Sequence, residues 1–342
     1  MAELKRILVP TDFSENSRRA CAVAQALAQT FNSKVDLLHV IPSVKYLHEN
    51  LLTIEYPLNI EEEIIPKMQE RIERQLEELQ ESSLTDETRG QIYINMDRKI
   101  PAAIAAHAEE KGYDLIVIGA RGKDASGMFR GSTTTRVIRR SDVPVMSVDR
   151  DLADENLETI MVATDLSPLS LASFPLAALI GSAFGSRLML FHNLEGRGYD
   201  QIEEAEKQDE LLKTYEELID RLESFLSDTN TSYITITREG NPFEDMVTVR
   251  RGQAEQTLPL ETVITAGGQS WREVVHRADE SADLLVMTTL GYSGRSIFRL
   301  GSVADKVTQQ LKKPVLTLRP DQDLFRSDDQ RASGWVQPRA AE

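Results

Sequence analysis

A chain of 342 residues exceeds what one hydrophobic core usually supports, so two domains are expected, each with an ordinary core given the 41% hydrophobic share. Thirty-nine basic residues against 55 acidic ones leave a net charge of −16, which argues against nucleic-acid or membrane partners apart from a local basic patch at Arg136, Arg139 and Arg140. Cys21 is the only cysteine, so no intrachain disulfide forms, and no run of 18 apolar residues offers a membrane span.

The first residues lead directly into a strand without the apolar stretch of a signal peptide, and the expected location is the cytoplasm. Arg6 to Pro10 reads as a buried strand ending in Thr11-Asp12-Phe13-Ser14. A helix follows over Ser17 to Phe31, with Cys21 as a small core residue in its alanine-rich stripe. Val35 to His39 is a second strand. Asn59 to Ser83 is a long charged helix whose apolar stripe includes Ile64, Met68, Ile72, Leu76 and Leu79, which suits packing on a sheet better than a coiled coil. Clusters such as Glu61-Glu62-Glu63 read as solvated helix face. Pro101 to Lys111 is helical, and Tyr113 to Ile118 is a continuously apolar strand of the kind buried in parallel sheets. Val143 to Val148 closes the unit, and Asp149 to Leu157 is a polar linker.

The same order then repeats. Thr159 to Ser167 restates the first strand and its Thr-Asp-x-Ser ending, with Asp165 lying 153 residues after Asp12. Leu188 to His192 matches Val35 to His39 at the same offset. Ala282 to Met287 matches Tyr113 to Ile118 at 169, and Pro314-Val315 matches Pro144-Val145 at 170. The step from 153 to 169 locates an insertion of 16 residues, best placed at Tyr233 to Gln253. There two β-branched runs flank Gly240-Asn241-Pro242 as an extra β-hairpin. Residues 1–149 and 157–320 are therefore two α/β domains, each a doubly wound, Rossmann-like parallel sheet, and 321–342 is a polar tail.

The segment after each fourth strand can carry chemistry. In the first copy it reads Gly119-Ala120-Arg121-Gly122, eight residues, then Gly131-Ser132-Thr133 opening a helix. In the second it reads Thr288-Thr289-Leu290-Gly291, nine residues, then Gly301-Ser302. Glycines let backbone N–H groups approach an anion, and a helix start aims its free N–H groups and positive dipole end at the same place. A tight turn with a helix cap is the alternative reading. Asp12 and Asp165 fall on the same carboxyl edge, where open α/β sheets bind ligands, and could accept from ribose or adenine. Each is equally well a helix N-cap. His39 and His192, and His107 and His276, recur between copies and suit packing or capping. Trp271 is expected to cap the core beside the second copy's third strand; Trp335 has no informative context. No zinc-like spacing, nucleophile elbow or Walker loop is present.

On these motifs both copies resemble the universal stress protein domain. The resemblance implies a Gly, two residues, Gly, nine residues, Gly-Ser/Thr phosphate loop, an Asp after the first strand and adenine contacts from the end of the second. In the first copy Asp12, Val40, Gly119, Gly122, Gly131 and Ser132 match, with Thr133 beside them. In the second, Asp165, Gly291, Gly301 and Ser302 match. The first loop is one residue short; the second has Thr288 for the first glycine and Asn193 where the first copy has Val40. The implied ligand is ATP or a related adenine nucleotide, Mg2+ being optional, in a structural or regulatory role with slow hydrolysis at most. A nucleotide-free interaction module is the alternative, and a true hydrolase or transferase lacks any general base beyond Asp12 and Asp165. The resemblance also implies that Val143 to Val148 and Pro314 to Leu318 pair the copies as a pseudo-dimer within the chain, leaving room for a further homodimer.

Overall fold

The computed structural model describes residues 4–42, 64–120, 131–149, 157–195, 204–229, 231–290 and 300–319. The linker from 150 to 156 and the tail from 320 lie outside them, as do Glu61 to Glu63 and Trp335.

In the first copy the strands are β1 (Arg6–Pro10), β2 (Lys34–Pro42), β3 (Arg89–Asp97), β4 (Leu115–Gly119) and β5 (Val145–Val148). The helices are α1 (Glu15–Phe31), α2 (Ile65–Ser83), α3 (Ile100–Glu110) and α4 (Ser132–Arg140). The second copy has β6 (Thr159–Ala163), α5 (Pro168–Leu171), α6 (Phe174–Phe184), β7 (Arg187–Leu194) and α7 (Glu204–Asp228). It continues with β8 (Ile234–Asn241), β9 (Glu244–Arg251), β10 (Ala254–Ala266), α8 (Ser270–Ser281), β11 (Leu284–Thr288), α9 (Ser302–Gln310) and β12 (Val315–Leu318).

The central strands are buried along their whole length, as their unbroken apolar runs require. Helix ends follow local chemistry. Asn32 closes α1 and Gly185 closes α6 in the left-handed conformation, each returning its N–H to a helix carbonyl. Asp114 and Asp283, at matched positions, each accept two backbone N–H groups that start the first strand of their own copy.

All the strands join one 12-stranded sheet ordered β3-β2-β1-β4-β5-β12-β11-β6-β7-β10-β9-β8. Within each copy the strands run parallel apart from β9 of the second, antiparallel to its neighbours β8 and β10, and the strand order along the sheet reverses between β1 and β4 and again between β6 and β11. The copies meet at β5 and β12, which pair antiparallel with Leu316 opposite Met146. Ser147 Oγ donates to the Val315 carbonyl, and Thr317 Oγ1 returns the contact to the Val145 carbonyl, both at 3.3 Å. Arg139–Asp305 and Arg319–Asp142 ion pairs flank this junction. One apolar cluster covers one sheet face beneath α1, α2, α5, α6 and α7, and a second covers the other beneath α3, α4, α8 and α9.

Two details differ from the sequence reading, and a third agrees with it. In α2 Ile72, Leu76 and Leu79 are buried and Met68 is partly so, but Ile64 is 41% exposed because it stands at the helix start, beyond the sheet. The stretch read as a hairpin is β8 and β9, paired antiparallel, but its turn is Pro242-Phe243, with Phe243 at φ 73°. β9 then pairs antiparallel with the first half of a long β10, whose second half lies parallel to β7. Trp271, at the start of α8 just after β10, packs half-buried against the second apolar cluster as expected, with Arg272 and Lys306 over its ring.

Candidate nucleotide crevice

Each Thr-Asp-x-Ser ending folds into a turn braced by its own side chains. Thr11 Oγ1 accepts the Phe13 N–H at 3.0 Å and donates to Ser17 Oγ at 2.9 Å. Asp12 Oδ1 accepts the Ser14 N–H at 3.0 Å, and Ser14 in turn is the N-cap of α1, accepting from Ser17 N at 3.2 Å. The second copy repeats this with Thr164, Asp165, Ser167 and Ser170. Serine, not aspartate, is therefore the helix cap in both copies. Both turns force a bulky residue into the left-handed region, Phe13 at φ 62° and Leu166 at φ 64°. Each costs about 1–2 kcal/mol and persists only because the turn over-determines it.

His39 Nδ1 lies 2.8 Å from the Thr11 carbonyl, and His192 Nδ1 lies 2.9 Å from that of Thr164. A carbonyl only accepts, so both rings carry a proton on Nδ1. Burial lowers both pKa values, against the raising effect of that bond and of Asp12 or Asp165 nearby. The His39 ring also stacks on Phe13, with centroids 4.9 Å apart. The second recurring pair parts company: His107 is buried and His276 is exposed beside Glu280.

At the other wall, Gly119 ends β4. A Cβ there would lie 2.8 Å from the Asn16 carbonyl carbon and 3.0 Å from the Ser17 nitrogen, so the glycine is required by α1 packing. Thr134 Oγ1 donates to the Gly119 carbonyl at 2.7 Å, and the Gly131 N–H donates to the Ala120 carbonyl at 2.8 Å. These bonds tie the start of α4 to the end of β4. Gly131 caps α4 without a side-chain bond, and no acidic residue stands in the first turn. The N–H groups of Ser132, Thr133 and Thr134 therefore have no helical acceptor and present partial positive charge. Ser132 is exposed and Thr133 half-buried.

Val40 supplies a third wall. Its neighbour Leu38 accepts the Thr11 N–H at 2.9 Å, across the last β1–β2 pairing. Alternate residues of a parallel strand face the same neighbour, so the Val40 N–H and C=O point past the end of β1. Asp12, Val40 and the start of α4 thus gather where the strand order reverses, the usual ligand crevice of such sheets.

The second crevice is built differently. Thr288 fills the place of Gly119, with its hydroxyl donating to the Leu290 carbonyl at 2.6 Å, and Ala304 replaces Thr134. Asn193 replaces Val40, and its side chain bonds Thr265 at 2.9 Å and Ser270 at 3.2 Å. Glu195 accepts the Ser270 N–H, and the Ser270 hydroxyl together with this N–H holds its carboxyl below the usual range. Gly301 and exposed Ser302 open α9 without a side-chain cap, but Asp305 stands in its first turn. Gly122 and Gly291, the loop glycines, lie outside the described residues. Among the described residues no group of three His, Cys, Asp or Glu side chains could hold a metal, and no helix is long and apolar enough to cross a membrane.

The model of the universal stress protein family matches residues 3–149 and again 156–319. The chain belongs to the universal stress protein family. A Thermus aquaticus relative, named as the universal stress protein in the QAH/OAS sulfhydrylase 3' region, is 33% identical over 146 residues, 42% of this chain and 98% of its own. Universal stress protein MJ0577 of Methanocaldococcus jannaschii is 28% identical over 158 residues, 43% of this chain and 95% of its own. These relatives are each the length of one domain. A universal stress protein structure from Archaeoglobus fulgidus matches the tandem fold at a TM-score of 0.59 and 20% identity, covering 96% of this chain and 98% of its own.

Proposed function

We propose that the first crevice binds ATP or a related adenine nucleotide as a structural or regulatory ligand of a cytoplasmic stress response. The convergence at the β1/β4 reversal carries this reading: an uncapped helix start for phosphate, the Asp12 carboxylate for ribose, and the outward backbone of Val40 for adenine. The glycine loop of the sequence, with Gly122, completes the phosphate side. Mg2+ would arrive on the phosphates rather than in a protein cage, since the described residues offer none. Hydrolysis would be slow at most, since the sequence carries no Walker-type loop. The second crevice is the weaker candidate: Asn193 is engaged by its own neighbours and Asp305 opposes phosphate at α9.

Titration calorimetry of ATP with Mg2+ tests this on wild type, Ser132→Glu and Ser302→Glu. An acid at a helix start favours the helix, so the fold should survive while phosphate is repelled. Ser132→Glu should weaken binding by at least about tenfold, with Ser302→Glu close to wild type. Wild-type protein that binds no ATP and carries no co-purified nucleotide would leave the interaction module as the reading.

A further inference from the structure

We infer that the groove between α5 and α7 binds a small amphipathic cation, an amine with an apolar body. The groove lies at the start of the second copy. Where α1 runs unbroken from Glu15 to Phe31, the second copy divides its leading helix into the four residues of α5 and the separate α6. Beside α5 lies a cavity of about 410 Å3 facing α7. That lies within the roughly 300–1,000 Å3 of small-molecule sites.

Its floor is apolar. Leu166 and Leu171 are core residues, and Phe225 packs against the same cluster from α7. Its rim is charged, and two of the three charges are already matched. Arg221 donates to Glu217 at 2.6 Å and to the Leu166 carbonyl at 3.2 Å. Asp220 is held by Arg238. Asp228 makes no ion pair among the described residues, and it is the last residue of α7, whose last turn contains no basic side chain. An acid at the negative end of a helix dipole is unfavourable unless a cation meets it. An ammonium there would face both Asp228 and the helix end, while its hydrocarbon covers Pro168 and Phe225 above the buried Leu166 and Leu171. An organic anion would meet the opposite field.

Hexylammonium titrated into the full chain, followed by calorimetry and amide chemical shifts, tests this against hexanol and hexanoate. Hexylammonium should bind and hexanoate should not. Asp228→Asn should weaken hexylammonium by about three- to fivefold, as for an exposed ion pair. Ser224→Trp, at an exposed position of α7 that lines the groove, should fill it and abolish binding without unfolding the chain. Failure of hexylammonium to bind overturns the inference. So does hexanol binding as tightly as the amine, an unchanged affinity in Asp228→Asn, or full affinity in folded Ser224→Trp.

Discussion

Gly119 at the end of β4 is pressed against the backbone of Asn16 and Ser17, and Thr288, its counterpart at the end of β11, carries the side chain that this contact forbids. The leading helix of the second copy has to accommodate that side chain, and it is divided into α5 and α6 where α1 is continuous. Gly119→Ala should destabilise the fold by about 1–3 kcal/mol, because the opposing atoms are backbone and cannot turn away. Urea unfolding measures it; wild-type stability would show that α1 yields to a Cβ.

Ser147 and Thr317 are buried hydroxyls at the seam between copies, each reaching across to the opposite strand. Ser147→Ala and Thr317→Val should each cost about 1 kcal/mol, the usual net worth of a buried hydrogen bond. If neither moves the unfolding midpoint, the seam rests on its strand pairing and apolar packing alone.

Arg251 gives the extra strands a task. From the end of β9 it donates to the Thr30 carbonyl at 3.2 Å and lies 4.6 Å from the centre of the Phe31 ring, both on α1 of the other copy. Arg251→Ala should lower stability by roughly 1 kcal/mol through loss of the cation–π contact and hydrogen bond. Amide exchange at the end of α1 should rise with it; unchanged exchange there would mean that the strands do not brace the first copy.

His39 and His192 predict a pH dependence. Burial lowers their pKa below the ordinary 6.5, so the unfolded chain binds protons that the folded one refuses. Their contribution to stability is present above pH 6.5 and is lost as pH falls through that value toward the folded pKa. Unfolding free energy measured against pH should decline across this window, and His39→Gln should flatten the decline. An equal slope in that variant would assign the effect to other groups.

Much of this was legible in the residues. Thr-Asp-x-Ser is a turn that satisfies itself within seven residues, so its chemistry reads directly from the chain. The apolar runs of β4 and β11 mark buried strands without further context. Other features depend on distant neighbours. That Gly119 also lies against the backbone of Asn16 is visible only in the fold, and nothing local links Thr134 to the carbonyl of Gly119. The histidines in the second strands repeat visibly, but the carbonyls they hold lie 28 residues away.

The repeat, the strand and helix order, and the turns that end β1 and β6 follow from the sequence alone, because each rests on periodicity or on bonds between near neighbours. Their union into a single sheet, and the bonds that engage the Asn193 side chain where the first copy has Val40, belong to the tertiary structure. Those depend on which faces and side chains meet across a fold, and Val145 meets Thr317, or Asn193 Thr265, only after the chain has closed.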